Sequence, residues 1–283
     1  MKLNFRKLDF NQELDIISMY KHGINCSLIS KQYNVSKSLI EKTLHRNGIK
    51  LRNISEAKQK YTINENFFEK IDSETKAYFL GFLYGDGCSN SYNNNINILG
   101  LESDKEIYEK LRKLINSNRP FRIKKGINNN YILFDFANKK IRNDLYNLGV
   151  VPNKTEIIKF PKEHMDKSLY RHFIRGLFDS DGSIMIFKDK RCNRFYSSWN
   201  LYSTRDMIIF IKEYLKSLNI EVNNIQRDKR CFVNSAFLAT IKAQNVFNIY
   251  HFMYDNSTIF LERKKKKFEN AFEIESIKRN IIM

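Results

Sequence analysis

Two nine-residue segments in distant parts of the chain share one pattern. FLGFLYGDG occupies residues 79–87, and IRGLFDSDG occupies residues 174–182. Each has a glycine at its third position and a small residue at its seventh, and each ends in Asp-Gly after mainly apolar residues. An internal repeat of this kind predicts two structural units built alike, which restricts the architecture more than any other feature of the sequence.

The spacing of the small residues predicts a close helix crossing. Residues four apart lie on one face of a helix, so Gly81 and Gly85 predict a small-residue face on the first helix. Gly176 and Ser180 predict the matching face on the second helix. Two such helices can approach more closely than the usual spacing of about 8–10 Å between helix axes.

A carboxylate ends each predicted helix. Asp86 and Asp181 would meet at the C-terminal ends of the two crossing helices, where Gly87 and Gly182 turn the chain away. Two adjacent carboxylates repel each other unless a cation lies between them, and helix C-termini also favour a cation. The pattern predicts a hard divalent metal, and Mg²⁺ suits a few carboxylate oxygens with water and phosphate. The alternative is that each Asp-Gly only stops a helix and starts a turn.

The remainder of each copy repeats the same order of patterns. After Asp-Gly come an alternating strand pattern, an amphipathic helix, further strand-like residues and another helix. We therefore predict an α+β fold in which residues 75–165 and 166–283 form two pseudo-symmetric repeats.

Residues 1–50 predict a small all-α domain. Three short helices are expected at 12–21, 28–33 and 37–46, the last two capped by Ser27 and Ser36. A short helix, a tight turn and a helix that opens with polar and basic residues form the helix-turn-helix pattern, and this segment resembles the DNA-binding domains of recombinases and phage regulators. A helical bundle with no role in DNA binding is the alternative.

Residues 51–74 form a basic linker, which either follows DNA phosphates through Arg52 or is simply solvated.

The charge balance favours a polyanionic partner. The chain has 49 Lys and Arg against 31 Asp and Glu, a net charge of +18. Such a surface attracts nucleic acid first and an anionic membrane second.

The apolar run of residues 77–84 is too short to span a membrane, and no secretion signal opens the chain. The four cysteines form no CxxC pair, which argues against a zinc site and fits a reducing compartment. We expect an intracellular protein, cytoplasmic or organellar, that is neither secreted nor membrane-bound.

Both nine-residue segments resemble the LAGLIDADG motif, and the C-terminal LERKKKKFE is similar to the ending of that family. The resemblance implies a monomeric, double-motif homing endonuclease in which two αββαββα repeats form a saddle-shaped sheet. It also implies a Mg²⁺-dependent double-strand cut at a long, rare site in duplex DNA. Tyr84 departs from the motif, because it stands where the motif has its first Asp, which Asp179 retains.

The resemblance also implies roles for particular residues. Asp86 and Asp181 would be the catalytic metal ligands, assisted by the carbonyls of Gly85 and Ser180. A lysine supports each active site in the family, and Lys139 and Lys242 stand nearest that place in this sequence, although either could be an ordinary surface lysine.

Strands at residues 88–101 and 183–203 would lie in the major groove, where Asn suits adenine and Arg suits guanine. The strand residues expected to contact DNA are Asn90, Asn95, Asn97, Lys188, Arg191, Arg194 and Asn200. The helix-turn-helix and linker would add Lys37, Ser38, Lys42, Arg46 and Arg52. The basic run at residues 263–267 either touches phosphates or is a solvated helix face.

Two other functions remain open from the sequence. One is a DNA-binding regulator that has the same fold and does not cleave. The other is an intron maturase that binds RNA. The presence of both Asp86 and Asp181 favours the nuclease, because binding alone would not require them. The helix-turn-helix pattern favours duplex DNA over A-form RNA, whose major groove does not admit a helix.

Overall fold

The computed structural model describes residues 8–52, 61–90, 94–189, 194–223, 225–227, 235–240 and 243–281. The chain divides into two compact units, Met1–Tyr61 and Thr62–Met283. Each unit has its own hydrophobic core. No helix in the described part of the chain is both long enough and apolar enough to cross a membrane.

The first unit contains the three helices that the sequence predicts. They are α1 (Phe10–Lys21), α2 (Cys26–Gln32) and α3 (Lys37–Arg46), which enclose a small core that includes Ile16, Ile29, Ile40 and Leu44. Helix α2 begins two residues before its predicted start because Asn25, not Ser27, is its cap. The Asn25 side chain accepts a hydrogen bond from the Leu28 amide at 2.9 Å.

The two motif segments form the central helices of the second unit. Helix α4 (Glu74–Asp86) is buried at every residue from Ala77 to Tyr84, and helix α7 (Tyr170–Asp181) is buried from Phe173 to Asp179. A helix that is buried on all sides belongs to the interior of the protein. The short apolar run of residues 77–84 is therefore core, as its length indicates.

Each central helix continues directly into an antiparallel sheet. The strands of the first sheet are β1 (Gly87–Ser89), β2 (Asn95–Leu101), β3 (Arg122–Lys124) and β4 (Tyr131–Ala137), in the spatial order β1-β2-β4-β3. The strands of the second are β5 (Gly182–Asp189), β6 (Arg194–Thr204), β7 (Gln226–Arg227) and β8 (Ser235–Thr240), in the equivalent order β5-β6-β8-β7. The other helices are α5 (Lys105–Leu114), α6 (Lys139–Asn147), α8 (Arg205–Ser217), α9 (Ala243–Tyr254) and α10 (Glu262–Ile281). Both repeats thus have the element order αββαββα, and α10 follows the second.

The register of the two sheets is also repeated. Cys88, the first residue after the Asp-Gly of the first motif, pairs with Asn97, and Ser183, its counterpart in the second, pairs with Asn200. Asn97 and Asn200 therefore occupy equivalent positions.

Alternation along the strands separates two faces of each sheet. One face packs on helices through residues such as Ile96, Ile98, Ile184, Trp199 and Leu201, all fully buried. The opposite face, which we call the outer face, carries Asn95, Asn97, Leu99, Tyr131, Leu133 and Asp135 in the first sheet and Ser183, Met185, Phe187, Tyr196, Ser198 and Asn200 in the second.

Candidate active site

Glycines allow the backbones of α4 and α7 to touch. A Cβ atom added at Gly81 would lie 2.0 Å from the Phe173 carbonyl oxygen, and one at Gly176 would lie 1.9 Å from the Tyr78 carbonyl oxygen. Neither position can hold a side chain unless the backbones separate. The close crossing predicted from the spacing of the small residues is therefore present.

The crossing brings together the two carboxylates that end these helices. A Cβ atom added at Gly85 would lie 2.0 Å from Ser180 Oγ and 2.9 Å from Asp181 Oδ2. The Asp181 carboxylate therefore lies against the C-terminal end of α4, beside Asp86. The structure juxtaposes these two acidic residues although 94 residues separate them in the sequence.

The environment of the two carboxylates disfavours their negative charge. Burial, followed by repulsion from Asp181, raises the pKa of Asp86 to about 7. Asp181 is exposed as a residue, yet burial of part of its carboxyl group also raises its pKa. Lys154 and Lys264 oppose both shifts and do not abolish them. A cation placed between the carboxylates would relieve this cost.

Two lysines bind the C-terminal ends of the central helices. Lys154 Nζ donates to the carbonyl oxygens of Tyr84 at 2.7 Å and Gly85 at 2.6 Å. Lys264 Nζ donates to the carbonyl oxygen of Phe178 at 3.2 Å and to that of Gly182. The Lys154 ammonium satisfies carbonyls that the end of α4 leaves free, and both ammonium groups oppose the negative end of a helix dipole.

Burial lowers the pKa of both lysines. The pKa of Lys264 falls to about 8, because burial outweighs its attraction to Asp179, Asp86 and Asp181. The pKa of Lys154 falls for the same reason, although both carboxylates oppose the shift. The second repeat thus reproduces the first, with one partly desolvated lysine near each carboxylate.

These lysines differ from the pair singled out in the sequence. Lys139 is exposed at the first residue of α6, and Lys242 lies outside the described residues. Lys154 and Lys264 each follow the last helix of their repeat, and that position is the one signal that could have found them. With 49 Lys and Arg in the chain, it was too weak to single them out.

The departure at Tyr84 has a structural reason. Asp179, at the equivalent position of α7, accepts hydrogen bonds from the Tyr78 hydroxyl at 2.7 Å, the Tyr254 hydroxyl at 3.1 Å and the Leu261 amide at 2.7 Å. Tyr84 instead donates its own hydroxyl hydrogen to the Leu148 carbonyl. Both side chains are buried and tie a central helix to the segment that follows the last helix of a repeat. The difference therefore lies in the core and not at the paired carboxylates.

The donor set suits a hard cation that keeps some of its own ligands. No cluster of three or more His, Cys, Asp or Glu side chains that could hold a metal is found in the described ranges. A cation between Asp86 and Asp181 would complete its shell with main-chain carbonyl oxygens, water or phosphate, the ligands that Mg²⁺ accepts. The Gly85 carbonyl already accepts a hydrogen bond from Lys154, and it has a second lone pair available for a metal.

Two proteins of Methanocaldococcus jannaschii are similar to this chain in sequence. No family model matches it. It is 28% identical over 230 residues to a probable translation initiation factor IF-2 of Methanocaldococcus jannaschii, and the match covers 78% of this chain and only 17% of that protein. It is 29% identical over 201 residues to an uncharacterized protein of the same organism, covering 64% of this chain and 68% of that one.

Solved structures give a clearer result. The LAGLIDADG meganuclease I-AabMI, bound to uncleaved DNA, aligns over 72% of this chain and 91% of its own, with a TM-score of 0.50 at 13% identity. The meganuclease I-SmaMI, bound to uncleaveable DNA, aligns over 72% of this chain and 89% of its own, with a TM-score of 0.50 at 12% identity.

This chain has the LAGLIDADG endonuclease fold. The predicted α+β architecture and the predicted resemblance are confirmed at the level of the fold. Asp86 and Asp181 are the last residues of the two motif helices, and each directly precedes the first strand of a sheet. The LAGLIDADG fold therefore positions both carboxylates where the two sheets begin.

The first sheet of the LAGLIDADG fold presents polar side chains on its outer face. Asn95 and Asn97 are half-buried and bonded to each other, with Asn95 Nδ2 donating to Asn97 Oδ1 at 2.9 Å. Asp135, opposite Asn97 in the register, is buried and forms ion pairs with Arg119 and Arg122. Sequence reasoning missed this ion-pair cluster because Arg119 precedes β3 and Arg122 begins it, and only the pairing of β3 with β4 brings them to Asp135. Asn90 is half-buried just beyond β1.

The second sheet places its predicted DNA-contacting residues differently. Asn200 is on the outer face but only 6% exposed, and its amide nitrogen donates to Ser198 Oγ at 3.1 Å. Lys188 is exposed, and alternation places it on the side of Ile184 and away from the outer face. Arg194 is the first residue of β6, and Arg191 lies outside the described residues.

The predicted recognition helix α3 exposes Lys37, Ser38, Lys42 and Arg46. Lys37 forms an ion pair with Glu41 at 3.1 Å, and Arg46 forms one with Glu13. Such pairs at exposed sites are weak and can exchange for phosphate.

Arg52 was expected in an extended linker near phosphates, and that placement is wrong. Its guanidinium group donates to the carbonyl oxygens of Gly23 at 3.0 Å and Ile24 at 2.7 Å, and it lies 4.2 Å from the centre of the Tyr20 ring. Arg52 instead links the segment after α3 to the C-terminal end of α1 by hydrogen bonds.

The basic run at residues 263–267 is also partly structural. Arg263 donates to both carboxylate oxygens of Asp104, at 3.0 and 2.8 Å, and Lys264 is 6% exposed. Lys265 and Lys266 form ion pairs within α10, at 4.0 and 3.5 Å. A run of cations therefore does not by itself identify a phosphate-binding surface.

Proposed function

We propose that this chain is a divalent-metal-dependent endonuclease that cuts both strands of duplex DNA at a specific site. The observation that supports the proposal most is the juxtaposition of Asp86 and Asp181 at the ends of two touching helices. It is a costly arrangement for folding alone, because each carboxylate has a raised pKa. A site that holds a metal and a phosphate provides the reason for it.

The two carboxylates would hold the metal, for which Mg²⁺ is the best candidate, together with main-chain oxygens of Gly85 and Ser180. When bound, the metal would activate water and stabilise the leaving oxygen of the phosphodiester. Lys154 and Lys264 would keep the carboxylates ionised and add positive charge near the phosphate. A lysine with a pKa of about 8, as for Lys264, can also exchange a proton near neutral pH.

The outer faces of both sheets would read the bases of the DNA. The exposed side chains of α3 would bind a flanking segment. A single copy of the chain supplies both carboxylates and both sheets, so we propose a monomer as the active form. The net charge of +18 would hold the duplex by its phosphates.

The decisive experiment is cleavage of a random-sequence duplex library with Mg²⁺, with the cut ends identified by sequencing. We expect cuts at one site, none in excess EDTA, and a loss of at least about 10³-fold in cutting rate for Asp86→Asn or Asp181→Asn. Both variants should still bind the selected duplex, because they remove negative charge from the site.

The exposed Asp206, which forms an ion pair with Lys159 at 3.3 Å on the surface, provides a matched control. Asp206→Asn should cut at the wild-type rate. Cutting that persists in excess chelator would reject the metal mechanism. Binding without cutting by the wild type would leave a DNA-binding regulator as the function.

A further inference from the structure

An apolar patch occupies the outer face of the second sheet. Met185 is 52% exposed and Phe187 is 38% exposed, while their neighbour Ile184 is fully buried on the opposite face. The Tyr196 ring stacks on Phe187 with centroids 5.9 Å apart, since the two residues are direct partners across β5 and β6. Single exposed apolar residues are ordinary, but a contiguous patch on a sheet face indicates a binding surface.

The patch lies on the strand that leaves the candidate active site. Strand β5 begins at Gly182, directly after Asp181, and places Ser183, Met185 and Phe187 in turn on the outer face. At about 3.3 Å per residue, Met185 lies about 13 Å and Phe187 about 20 Å along the strand from Asp181. With a rise of about 3.4 Å per base pair, these distances correspond to about four and six base pairs from the cut.

In the first sheet, strand β1 ends at Ser89, and the residue equivalent to Met185 is the polar Asn90. The outer face of this sheet carries Asn97 and, opposite it, Asp135 with Arg122 Nη2 at 3.1 Å. At the position equivalent to Asp135, the second sheet has Ala239, the partner of Asn200. The two outer faces therefore differ at this position, which is charged in the first sheet and uncharged in the second.

The net charge of the chain indicates which kind of partner binds the patch. A net charge of +18 disfavours association of two copies and attracts a polyanion. The apolar group that duplex DNA presents in its major groove is the C5 methyl of thymine. We infer that Met185, Phe187 and Tyr196 contact thymine methyl groups about four to six base pairs from the cut, in the half of the target that the second sheet binds. This inference rests on the proposed function and deepens it.

Deoxyuridine provides the test, because it removes the methyl group and leaves base pairing intact. The thymines of the selected target would be replaced by deoxyuridine in one half, then in the other, and binding of the full chain measured with Ca²⁺ in place of Mg²⁺. We expect the half that the second sheet binds to respond, with Kd raised about fourfold for each methyl that contacts the patch.

Substitutions at the patch residues test whether the response to deoxyuridine arises from the patch. Met185→Ser and Phe187→Ser should weaken binding to the thymine target and lose most of the difference between thymine and deoxyuridine. Leu218→Ser, at an apolar residue 40% exposed beyond the end of α8, should retain the full difference. Thermal unfolding of each variant would verify that it is folded.

Three results would overturn the inference. The first is a target without thymine at these positions in either half, or binding that is indifferent to deoxyuridine in both; the proposed function would survive this result. The second is a dimer in solution that Met185→Ser dissociates, which would assign the patch to a second copy. The third is a chain that binds no duplex at all, which would reject the proposed function as well.

Discussion

Among single residues, Asp86 has the clearest electrostatic cost. Its pKa is 3.8 without the surrounding protein and about 7 in the fold. The folded state therefore holds the proton more tightly, and it loses stability relative to the unfolded state as pH rises from about 4 to about 7. The loss of folding stability caused by ionisation of Asp86 is complete above pH 7 and absent below about pH 4.

Asp86→Asn should consequently stabilise the metal-free protein at pH 8, by up to about 4 kcal/mol. The gain should shrink toward zero near pH 4. Urea unfolding of both proteins in EDTA across this range would measure the difference. Equal stabilisation at pH 5 and pH 8 would contradict a charge-based origin, and added Mg²⁺ at pH 8 should stabilise only the wild type appreciably.

The lysine at each helix end provides a second test at the residue scale. Lys154→Met removes the donor to two carbonyl oxygens and a positive charge near both carboxylates, so cutting should fall about 10²-fold while binding changes little.

Lys139→Met tests the assignment made from the sequence. Because Lys139 is exposed at the start of α6, we expect less than a twofold change in cutting rate. A larger loss for Lys139→Met than for Lys154→Met would reverse the assignment.

At the scale of elements, the crossing of α4 and α7 allows a compensation test. A methyl group at Gly85 would collide with the Ser180 side chain, whereas one at Gly81 would collide with the backbone of Phe173. Gly85→Ala should therefore destabilise the protein by about 1–3 kcal/mol, and adding Ser180→Gly should recover at least half of this loss. Gly81→Ala should cost as much or more, with no recovery from Ser180→Gly. Free energies of urea unfolding for the single and double variants would measure both effects, and equal recovery at the two positions would contradict a specific contact.

The same crossing shows what a sequence can and cannot predict. The spacing of Gly81 and Gly85 and the terminal Asp-Gly are local patterns, and local patterns predicted the helices, their contact and the paired carboxylates. Lys154, Lys264 and the cluster at Asp135 were missed because their roles arise from contacts between segments 16 to 86 residues apart. Arg52 was misplaced for the same reason, since its partners lie at the far end of α1.

At the scale of the whole molecule, charge is shared unequally between the two units. Residues 1–61 contain 12 Lys and Arg and 5 Asp and Glu, a net charge of +7 in about a fifth of the chain. The first unit has its own core, and the second contains both carboxylates. We therefore expect the first unit to add affinity for DNA without setting the position of the cut.

Salt dependence separates these contributions, because each neutralised phosphate adds about 0.9 to the slope of log affinity against log salt. Deleting residues 1–50 should weaken binding and reduce that slope by about 3, the contribution of Lys37, Lys42 and Arg46, while the cut stays at the same bond. In the full chain, Lys37→Gln with Lys42→Gln should reduce the slope by about 2, which provides a control that leaves the helices in place. An unchanged slope would remove α3 from the DNA contact. A displaced cut would mean that the first unit fixes the register of the second on the DNA.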